Sequence, residues 1–428
     1  MNFELFYETS GICTDTRNIQ KDCLFICLKG ANFNGNEFAE KAVEAGAKYV
    51  IADEKLFQNN DKIFLVENSL EYLQNLANFH RKKFNFPIIG ITGSNGKTTS
   101  KELIAIVLSK KFNVHFTHGN LNNHIGVPLT LLQLTHAHEI AVIEMGANKF
   151  HDIQELCEIA EPTHGIITNI GMAHLEGFKS FEGVLKTKLE LYDSISNNDG
   201  CVFVNNDDPI LTENLPKNVE IISYASENSA IITGELISLS PFVEMNWKKD
   251  DIVSNRIQTQ MIGKYNFYNF LAAICIGNYF GVESSEISSA IAEYSPTNNR
   301  SQVQKTSKNT LILDAYNANP TSMKSALESF ALVEHADKFV ILGDMFELGN
   351  ESSKEHQKIV DLIKTINLPA ICIGKNFSAI LVNQETKIQS FESKDEASIY
   401  IQDLNLANKL ILLKGSRGIG LESIVPFL

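Results

Sequence analysis

Phe86-Pro87-Ile88-Ile89-Gly90-Ile91-Thr92, running directly into Gly93-Ser94-Asn95-Gly96-Lys97-Thr98-Thr99, decides how the rest of the chain is read. An unbroken apolar run of this length predicts a strand buried on both faces. The glycines predict a tight turn, and Leu103, Ile106 and Val107 fall on one face of a helix behind it. Strand, glycine-rich turn and helix in that order form a phosphate-binding loop. Successive backbone N–H groups curl around phosphate oxygens, and the helix N-terminus adds a favourable dipole. Lys97 is then placed for the β- and γ-phosphates, and the Thr98 hydroxyl for Mg²⁺. A strict GxxxxGK[ST] loop would carry its first glycine at position 91, which is Ile91; here that glycine is Gly93.

Outward from this loop, further buried-strand runs occur at Ile140–Glu144, Gly165–Asn169 and Cys201–Asn205, with helical stretches between them. Such alternation predicts a parallel sheet covered by helices. A helix over Phe267–Phe280 and a turn at Pro296-Thr297-Asn298-Asn299 close this block. A third block alternates again. Its strands are expected at Thr310–Asp314, Phe339–Leu342, Ala370–Ile373 and Leu410–Leu413, and its helices at Ser322–Val333 and Glu355–Ile366. It is Rossmann-like but lacks a GxGxxG fingerprint, so no dinucleotide role is indicated. Before the loop, short strands at Asp22–Leu28 and Lys48–Ala52 mix with helices at Glu37–Ala45 and Ser69–Lys83. The expected architecture is α/β in three domains: a small mixed one (1–86), a central P-loop parallel-sheet ATPase domain (87–298) and a Rossmann-like C-terminal one (299–428). A length of 428 residues allows three units at ~150 residues each.

With 37 basic and 51 acidic residues the net charge is −14, which lacks the basic footprint of a nucleic-acid binder. No stretch approaches the ~20 apolar residues of a membrane span. The start, Met1-Asn2-Phe3-Glu4-Leu5-Phe6, has no basic flank or apolar core, so no signal peptide is expected. The seven cysteines form no CxxC pair and read as reduced packing residues of a cytoplasmic protein. Glu144 ends a strand where ligands bind in open α/β sheets and is a candidate Mg²⁺ ligand. His174, in Asn169-Ile170-Gly171-Met172-Ala173-His174, is a possible metal ligand that alone reads as an ordinary satisfied histidine. The other histidines singled out (His115, His118, His136, His138, His151, His164 and His335) keep that ordinary reading. Lys186-Thr187-Lys188-Leu189-Glu190 by itself reads as a charged helix face.

Taken together, these motifs resemble the Mur ligase family over essentially the whole chain. The resemblance implies an ATP-dependent amide ligase in which residues of the Thr98, Glu144 and His174 type hold magnesium at two sites. It also implies that a lysine at the Lys188 position is carbamylated. Thr14-Asp15-Thr16-Arg17 with Leu28-Lys29-Gly30 resembles the uridine-binding segment, Thr16 standing where the family more often has serine. Gly119–Pro128, with Asn120, Asn122 and Asn123, resembles the segment that contacts the UDP-muramoyl part. Gly263–Asn269 resembles the adenine-binding segment, but Tyr265 stands in the usual histidine position, so only Asn266 and Asn269 are carried over. Asn266 also has a helix N-capping reading. Arg300 resembles the phosphate-contacting arginine, and a planar guanidinium suits a transferring phosphoryl group.

Asp314-Ala315-Tyr316-Asn317-Ala318-Asn319-Pro320-Thr321-Ser322-Met323 resembles DSYNANPxSM, the signature of the members that add D-alanyl-D-alanine, with Ala315 for serine. Asp314 is implied on the nucleotide side, and Tyr316, Asn317 and Asn319 on the substrate side. Leu342–Gly349 and Lys414-Gly415-Ser416-Arg417 complete the pattern, with Lys414 and Arg417 suited to a carboxylate or phosphate. The implied substrates are D-alanyl-D-alanine and a UDP-N-acetylmuramoyl-tripeptide ending in lysine or diaminopimelate, joined through an acyl phosphate. The implied setting is peptidoglycan precursor synthesis, by a cytoplasmic monomer with no membrane insertion. Two other activities stay open from the residues: a diamino-acid-adding ligase acting on the dipeptide, and a P-loop NTPase switch.

Overall fold

The computed structural model describes residues 2–55, 60–198, 200–381 and 387–428. Among the described residues it has three large sheets, one for each block, and a two-stranded antiparallel ribbon, Lys29–Gly30 with Phe33–Asn34. The first is parallel, in the spatial order Ile12–Cys13, Leu24–Ile26, Tyr49–Ala52, Ile63–Leu65. The helix Ser69–Arg81 follows, its start fixed by Asn68, whose side chain accepts from the Leu70 and Glu71 N–H groups. Tyr72, Leu73, Leu76 and Ala77 share its buried face. That face does not close a private core. It packs with Val127, Leu131, Ile153 and Leu156 of the following block, so the N-terminal sheet and the central sheet share one apolar cluster. The run expected as one helix over Glu37–Ala45 is a 3-10 turn at Gly35–Phe38 followed by a short α-helix, Ala39–Glu44.

The central sheet runs Val114–Phe116, Ile140–Glu144, Ile88–Thr92, His164–Ile167, Cys201–Asn205, Glu220–Ala225, Ile232–Ser238, Glu244–Lys249, Ile252–Val253, with Ile257–Gln258 also paired to Glu244–Lys249. It is parallel as far as Ile232–Ser238 and antiparallel beyond. The antiparallel end was not evident from the sequence. Its strands alternate buried and exposed residues, with Met245 and Trp247 inward, so they lack the continuous apolar run of the parallel strands. The helix Lys264–Tyr279 backs this region and buries nearly every turn, with Phe267, Phe270, Leu271 and Ile274 inside.

The third sheet has the order Gln302–Lys305, Thr310–Asp314, Leu410–Lys414, Lys338–Gly343, Ala370–Ile373, Ile388–Phe391, parallel except for its first pair. Its helix Pro320–Leu332 begins with a complete capping box between Asn319 and Ser322, and proline occupies the first turn. All seven cysteines are buried and unpaired. Among the described residues no helix is long and apolar enough to cross a membrane.

Arg81 fastens the first unit to the second. Its guanidinium donates to the carbonyls of Ala160 (2.8 Å), Phe84 (2.7 Å) and Glu161 (3.0 Å) from a buried position. Replacing it leaves three carbonyls without a donor. Arg81→Leu is therefore expected to lower stability by about 3 kcal/mol. Chemical denaturation followed by fluorescence measures this, and an unchanged midpoint refutes the fastening role.

Candidate active site

The strand Ile88–Thr92 lies between two strands that come later in the chain. Ile91 is registered with Glu144 on one side, and Thr92 with Ile167 on the other. Three strand ends therefore open into one crevice at the point where the strand order reverses, the ligand-binding position of open α/β sheets. The turn after Ile88–Thr92 needs its glycines. Gly93 has φ +142°, and a Cβ there would sit 2.0 Å from Thr168 Oγ1. Gly96 has φ +79°, and its Cβ would sit 2.7 Å from Asn269 Oδ1. Neighbouring strand ends pin the loop. Ser94 Oγ donates to the Gly171 carbonyl (3.0 Å), Asn169 Oδ1 accepts from the Asn95 N–H (3.1 Å), and Thr168 Oγ1 donates to the Asn95 carbonyl (2.6 Å). The helix Lys97–Leu108 then starts with no side chain capping it, which leaves its N-terminal dipole facing the crevice.

The crevice is a cleft of about 830 Å³ lined from all three strand ends and from the third sheet. Its charges centre on Glu144, which is buried. Oε1 of Glu144 accepts from the Thr98 hydroxyl (3.1 Å) and from Asn122 Nδ2 (2.7 Å). Oε2 has no hydrogen-bond partner; Lys101 Nζ stands 3.8 Å from it. Lys97 donates to the carbonyls of Gly93 (2.7 Å) and Ser94 (3.3 Å). Desolvation, with Arg300 adding to it and Glu144 opposing it, lowers the Lys97 pKa to about 8. Lys188 is buried on the helix Phe181–Asn197 with its Nζ 5.9 Å from the Phe178 ring centroid. Burial first and Lys97 second hold its pKa well below the ordinary lysine range, against the pull of Asp152, Glu190 and Glu144.

An orphaned carboxylate oxygen beside a threonine hydroxyl fits a hard divalent cation, which takes oxygen donors and completes its shell with water and phosphate. Among the described residues no three histidine, cysteine, aspartate or glutamate side chains converge as a ready-made cluster. A cation here would therefore depend on ligand oxygens as well.

The third sheet supplies the opposite wall. Asn319 Nδ2 donates to Asn95 Oδ1 across the cleft (2.7 Å), and Thr321 Oγ1 accepts from the Met172 N–H (3.2 Å). His174 Nδ1 meets the Glu347 carboxylate, and this contact lowers the Glu347 pKa. Asp314 and Lys414 stand side by side in parallel register and pair at 2.5 Å. Arg300 stacks on Tyr316, 3.8 Å from guanidinium carbon to ring centroid, with its buried Nε unpartnered. Asn299 and Ser301, on either side of it, have φ of 57° and 52°. Left-handed backbone at non-glycine residues costs ~1 kcal/mol each, so contacts from both sides must hold this turn.

The cleft thus gathers Ser94, Asn95, Gly96, Lys97, Thr98, Thr99, Asn120, Asn122, Asn123, Glu144, His174, Asn266, Asn269, Arg300, Asp314, Tyr316, Asn317, Asn319 and Lys414. Asn266 does not cap its helix, whose N-cap is Gly263; its amide donates to the Ile262 carbonyl (2.7 Å) and Ser301 Oγ (3.2 Å). Asn269 accepts from Ser100 Oγ (3.0 Å) and donates to Asn266 Oδ1 (3.0 Å). Lys188 lies behind the wall, near enough to Lys97 and Glu144 to feel their charges. Arg417 is exposed and donates to Tyr316 OH (3.4 Å) at the rim. Thr16 and Arg17 do not line the cleft; Arg17 forms an exposed ion pair with Asp15 at 2.7 Å in the first unit. Sequence reasoning missed Lys101, Glu102, Asn169 and Glu347. The first two look like a solvated helix face, and Glu347 lies far from His174 along the chain.

Comparison with known proteins identifies the family. Family models match residues 8–81 (Mur ligase family, catalytic domain), 91–277 (Mur ligase middle domain) and 299–417 (Mur ligase, glutamate ligase domain). A UDP-N-acetylmuramoyl-tripeptide--D-alanyl-D-alanine ligase from Bacillus subtilis is 35% identical across 97% of this chain and 92% of its own length. The chain belongs to the Mur ligase family. An Escherichia coli ligase of the same name is 31% identical over 97% of the chain and 92% of its own length. Among solved Mur ligase structures, MurF from Acinetobacter baumannii superposes with a TM-score of 0.89, at 28% identity, covering 99% of this chain and 97% of that one. MurF ligase from Thermotoga maritima in complex with ADP gives 0.87 at 26% identity, covering 100% and 98%.

The lowered Lys97 pKa sets a pH dependence. Anionic phosphate favours the protonated amine, so nucleoside triphosphate affinity is full below about 8 and declines as pH rises through that value. Calorimetric titration with ATP across this range measures it. Affinity that stays level to the ordinary lysine value of 10.5 refutes the assignment.

Proposed function

We propose that the protein is an ATP-dependent ligase that joins D-alanyl-D-alanine to a UDP-N-acetylmuramoyl-tripeptide, releasing ADP and phosphate. The observation that carries this reading is the bond from Asn319 to Asn95. It sets the Asp314–Met323 segment, whose sequence points to D-alanyl-D-alanine, against the loop suited to the nucleotide.

Joining a carboxylate to an amine in water is uphill, so the carboxylate needs activation. Its oxygen forms a bond to the γ-phosphorus while the bond from that phosphorus to ADP breaks, giving an acyl phosphate. The dipeptide amine then attacks the acyl carbon, a C–N bond forms, the amine loses a proton and phosphate departs. Catalysis of such steps is positioning plus neutralisation of charge. Lys97 and Arg300 supply cationic donors to the phosphoryl oxygens. Asn266 and Asn269 are read as the adenine contacts, their amides exchanging present protein partners for the base edge when it binds. Thr98 and Glu144 would hold one Mg²⁺, and Glu144, His174 and Lys188 would surround a second. Bound there, Mg²⁺ would neutralise developing phosphoryl charge. Asp314 is read on the nucleotide side, its partner Lys414 and Tyr316 shape the wall for the dipeptide, Asn120, Asn122 and Asn123 face the muramoyl side, and Thr16 and Arg17 would hold the uridine end. The protein is read as a monomer, and soluble substrates of this kind support a cytoplasmic setting.

Lys188 is read as a carbamate. A protonated lysine beside a metal site is unfavourable, and burial favours the neutral amine. The neutral amine adds CO₂ and loses a proton, giving a bidentate oxygen anion suited to a hard cation.

ADP formation assayed with each amine tests the reading. D-alanyl-D-alanine with the tripeptide substrate should release ADP; free lysine or diaminopimelate with the dipeptide substrate should not. The reverse pattern would assign a diamino-acid-adding ligase. For Lys188, alanine substitution should remove most activity, and acetate at high concentration should restore part of it. Lys186→Ala should be mild. Full activity in Lys188→Ala rules out the carbamate.

A further inference from the structure

Glu102 lies one residue beyond Lys101 on the helix that carries Lys97 and Thr98. A carboxylate at such a position ordinarily faces water. This one is instead engaged by Tyr294 and Asn298, in the hinge segment that joins the central block to the third. Asn298 Nδ2 donates to both of its oxygens, at 2.9 and 3.0 Å, and the Tyr294 hydroxyl donates to Oε2 at 2.5 Å. Lys101 Nζ stands between two acids, 3.9 Å from Glu102 Oε1 and 3.8 Å from Glu144 Oε2. A continuous line of polar contacts therefore runs from Glu144 through Lys101 and Glu102 to Asn298.

Asn298 is two residues before Arg300. The turn between them is the left-handed one, and its far side is held by Ser301, whose N–H donates to Asp314 Oδ1 at 3.3 Å and whose hydroxyl pairs with Tyr265 OH at 2.8 Å. Arg300 itself stacks on the Tyr316 face, and its buried Nε finds no partner. Its direction is thus set by the two anchors of the turn, and on the phosphate-loop side the anchor is Glu102. A guanidinium aimed at a phosphoryl group must be placed to well under an ångström, because a 1 Å error from a remote change costs roughly a hundredfold in rate.

We propose that Glu102 is a positioning residue for Arg300, clamping the hinge to the nucleotide helix so that the guanidinium and the phosphate loop are presented as one unit. The proposal rests on the ATP-dependent reading above. It predicts a defect in turnover and not in nucleotide affinity or folding, since Lys97, Thr98 and the loop glycines are untouched.

The test is a double-mutant cycle in the full-length protein, with ADP formation measured on D-alanyl-D-alanine and UDP-muramoyl tripeptide. Glu102→Gln and Asn298→Ala should each lower kcat roughly ten- to a hundredfold, with KM for ATP and the unfolding temperature near the parent's. Joined to Arg300→Ala, Glu102→Gln should add nothing, because a clamp has no function once its arginine is gone. If Glu102→Gln does not fold, Tyr294→Phe removes one bond of the same clamp with little change of shape and is expected to show the same non-additivity. Multiplicative losses in the double variant, or a parental kcat in Glu102→Gln, overturn the inference and leave the ligase reading intact. A parent that releases no ADP with these substrates overturns both.

Discussion

Everything in the cleft is arranged around one buried carboxylate. An isolated carboxylate in that position would be expelled by its desolvation penalty. Glu144 is tolerated because Thr98 and Asn122 satisfy one oxygen and Lys101 faces the other. The surplus then runs the other way. Lys97, Lys101 and Arg300 gather near it, and Lys188 lies close behind. A chain of net charge −14 thus gathers these cations beside its phosphate loop, while Asp152, Glu155 and Asp314 also line the cleft. Burial makes those cations reluctant, as the lowered Lys97 and Lys188 pKa values express. The arrangement is relaxed by a polyanion, the kind of ligand that a phosphate loop receives.

The phosphate loop beside that carboxylate is also where the central and third sheets meet. Register fixes Glu144 beside Ile91, one strand from the loop. The third sheet then reaches the loop with short amide and hydroxyl groups, Asn319 to Asn95 and Thr321 to the Met172 N–H, and with the Glu347 carboxylate against His174. These polar contacts lie at the edge of the cleft, beside an apolar patch where Ile262, Met172 and Phe242 pack against the third sheet's core. The first unit is held differently, by the shared apolar cluster and the buried Arg81. The polar contacts beside the phosphate site are ones that can be exchanged with water. Contacts of that kind allow opening and closure around substrate.

Much of this was legible in the sequence, and the reasons are specific. Parallel strands buried on both faces are continuous apolar runs, so Ile140–Glu144, Cys201–Asn205, Thr310–Asp314 and Ala370–Ile373 are found where those runs lie. The antiparallel end of the central sheet was hidden because its strands face water on one side and carry Glu235, Lys248 and Lys249 among their apolar residues. In the cleft, the glycines and Lys97 are local signals, bound to their spacing. Glu102 is not. Its partners Tyr294 and Asn298 are 192 and 196 residues away, so nothing near it in the sequence separates it from a solvated acid. The roles of His174 and Lys188 came only from family resemblance.

Lys186 and Lys188 illustrate what structure adds to such a resemblance. As a run, Lys186-Thr187-Lys188-Leu189-Glu190 is a charged patch with two interchangeable amines. On a helix, residues two apart point roughly 200° away from each other. One must face water and the other the interior. The helix Phe181–Asn197 is phased by Val184, Leu191 and Ile195, which pack inward, and that phase leaves Lys186 exposed and buries Lys188. An exposed lysine keeps its mobility. A buried one beside Lys97 is pushed toward the neutral amine, the only form with a lone pair for CO₂. Apolar periodicity therefore chooses which of two identical side chains can carry the chemistry.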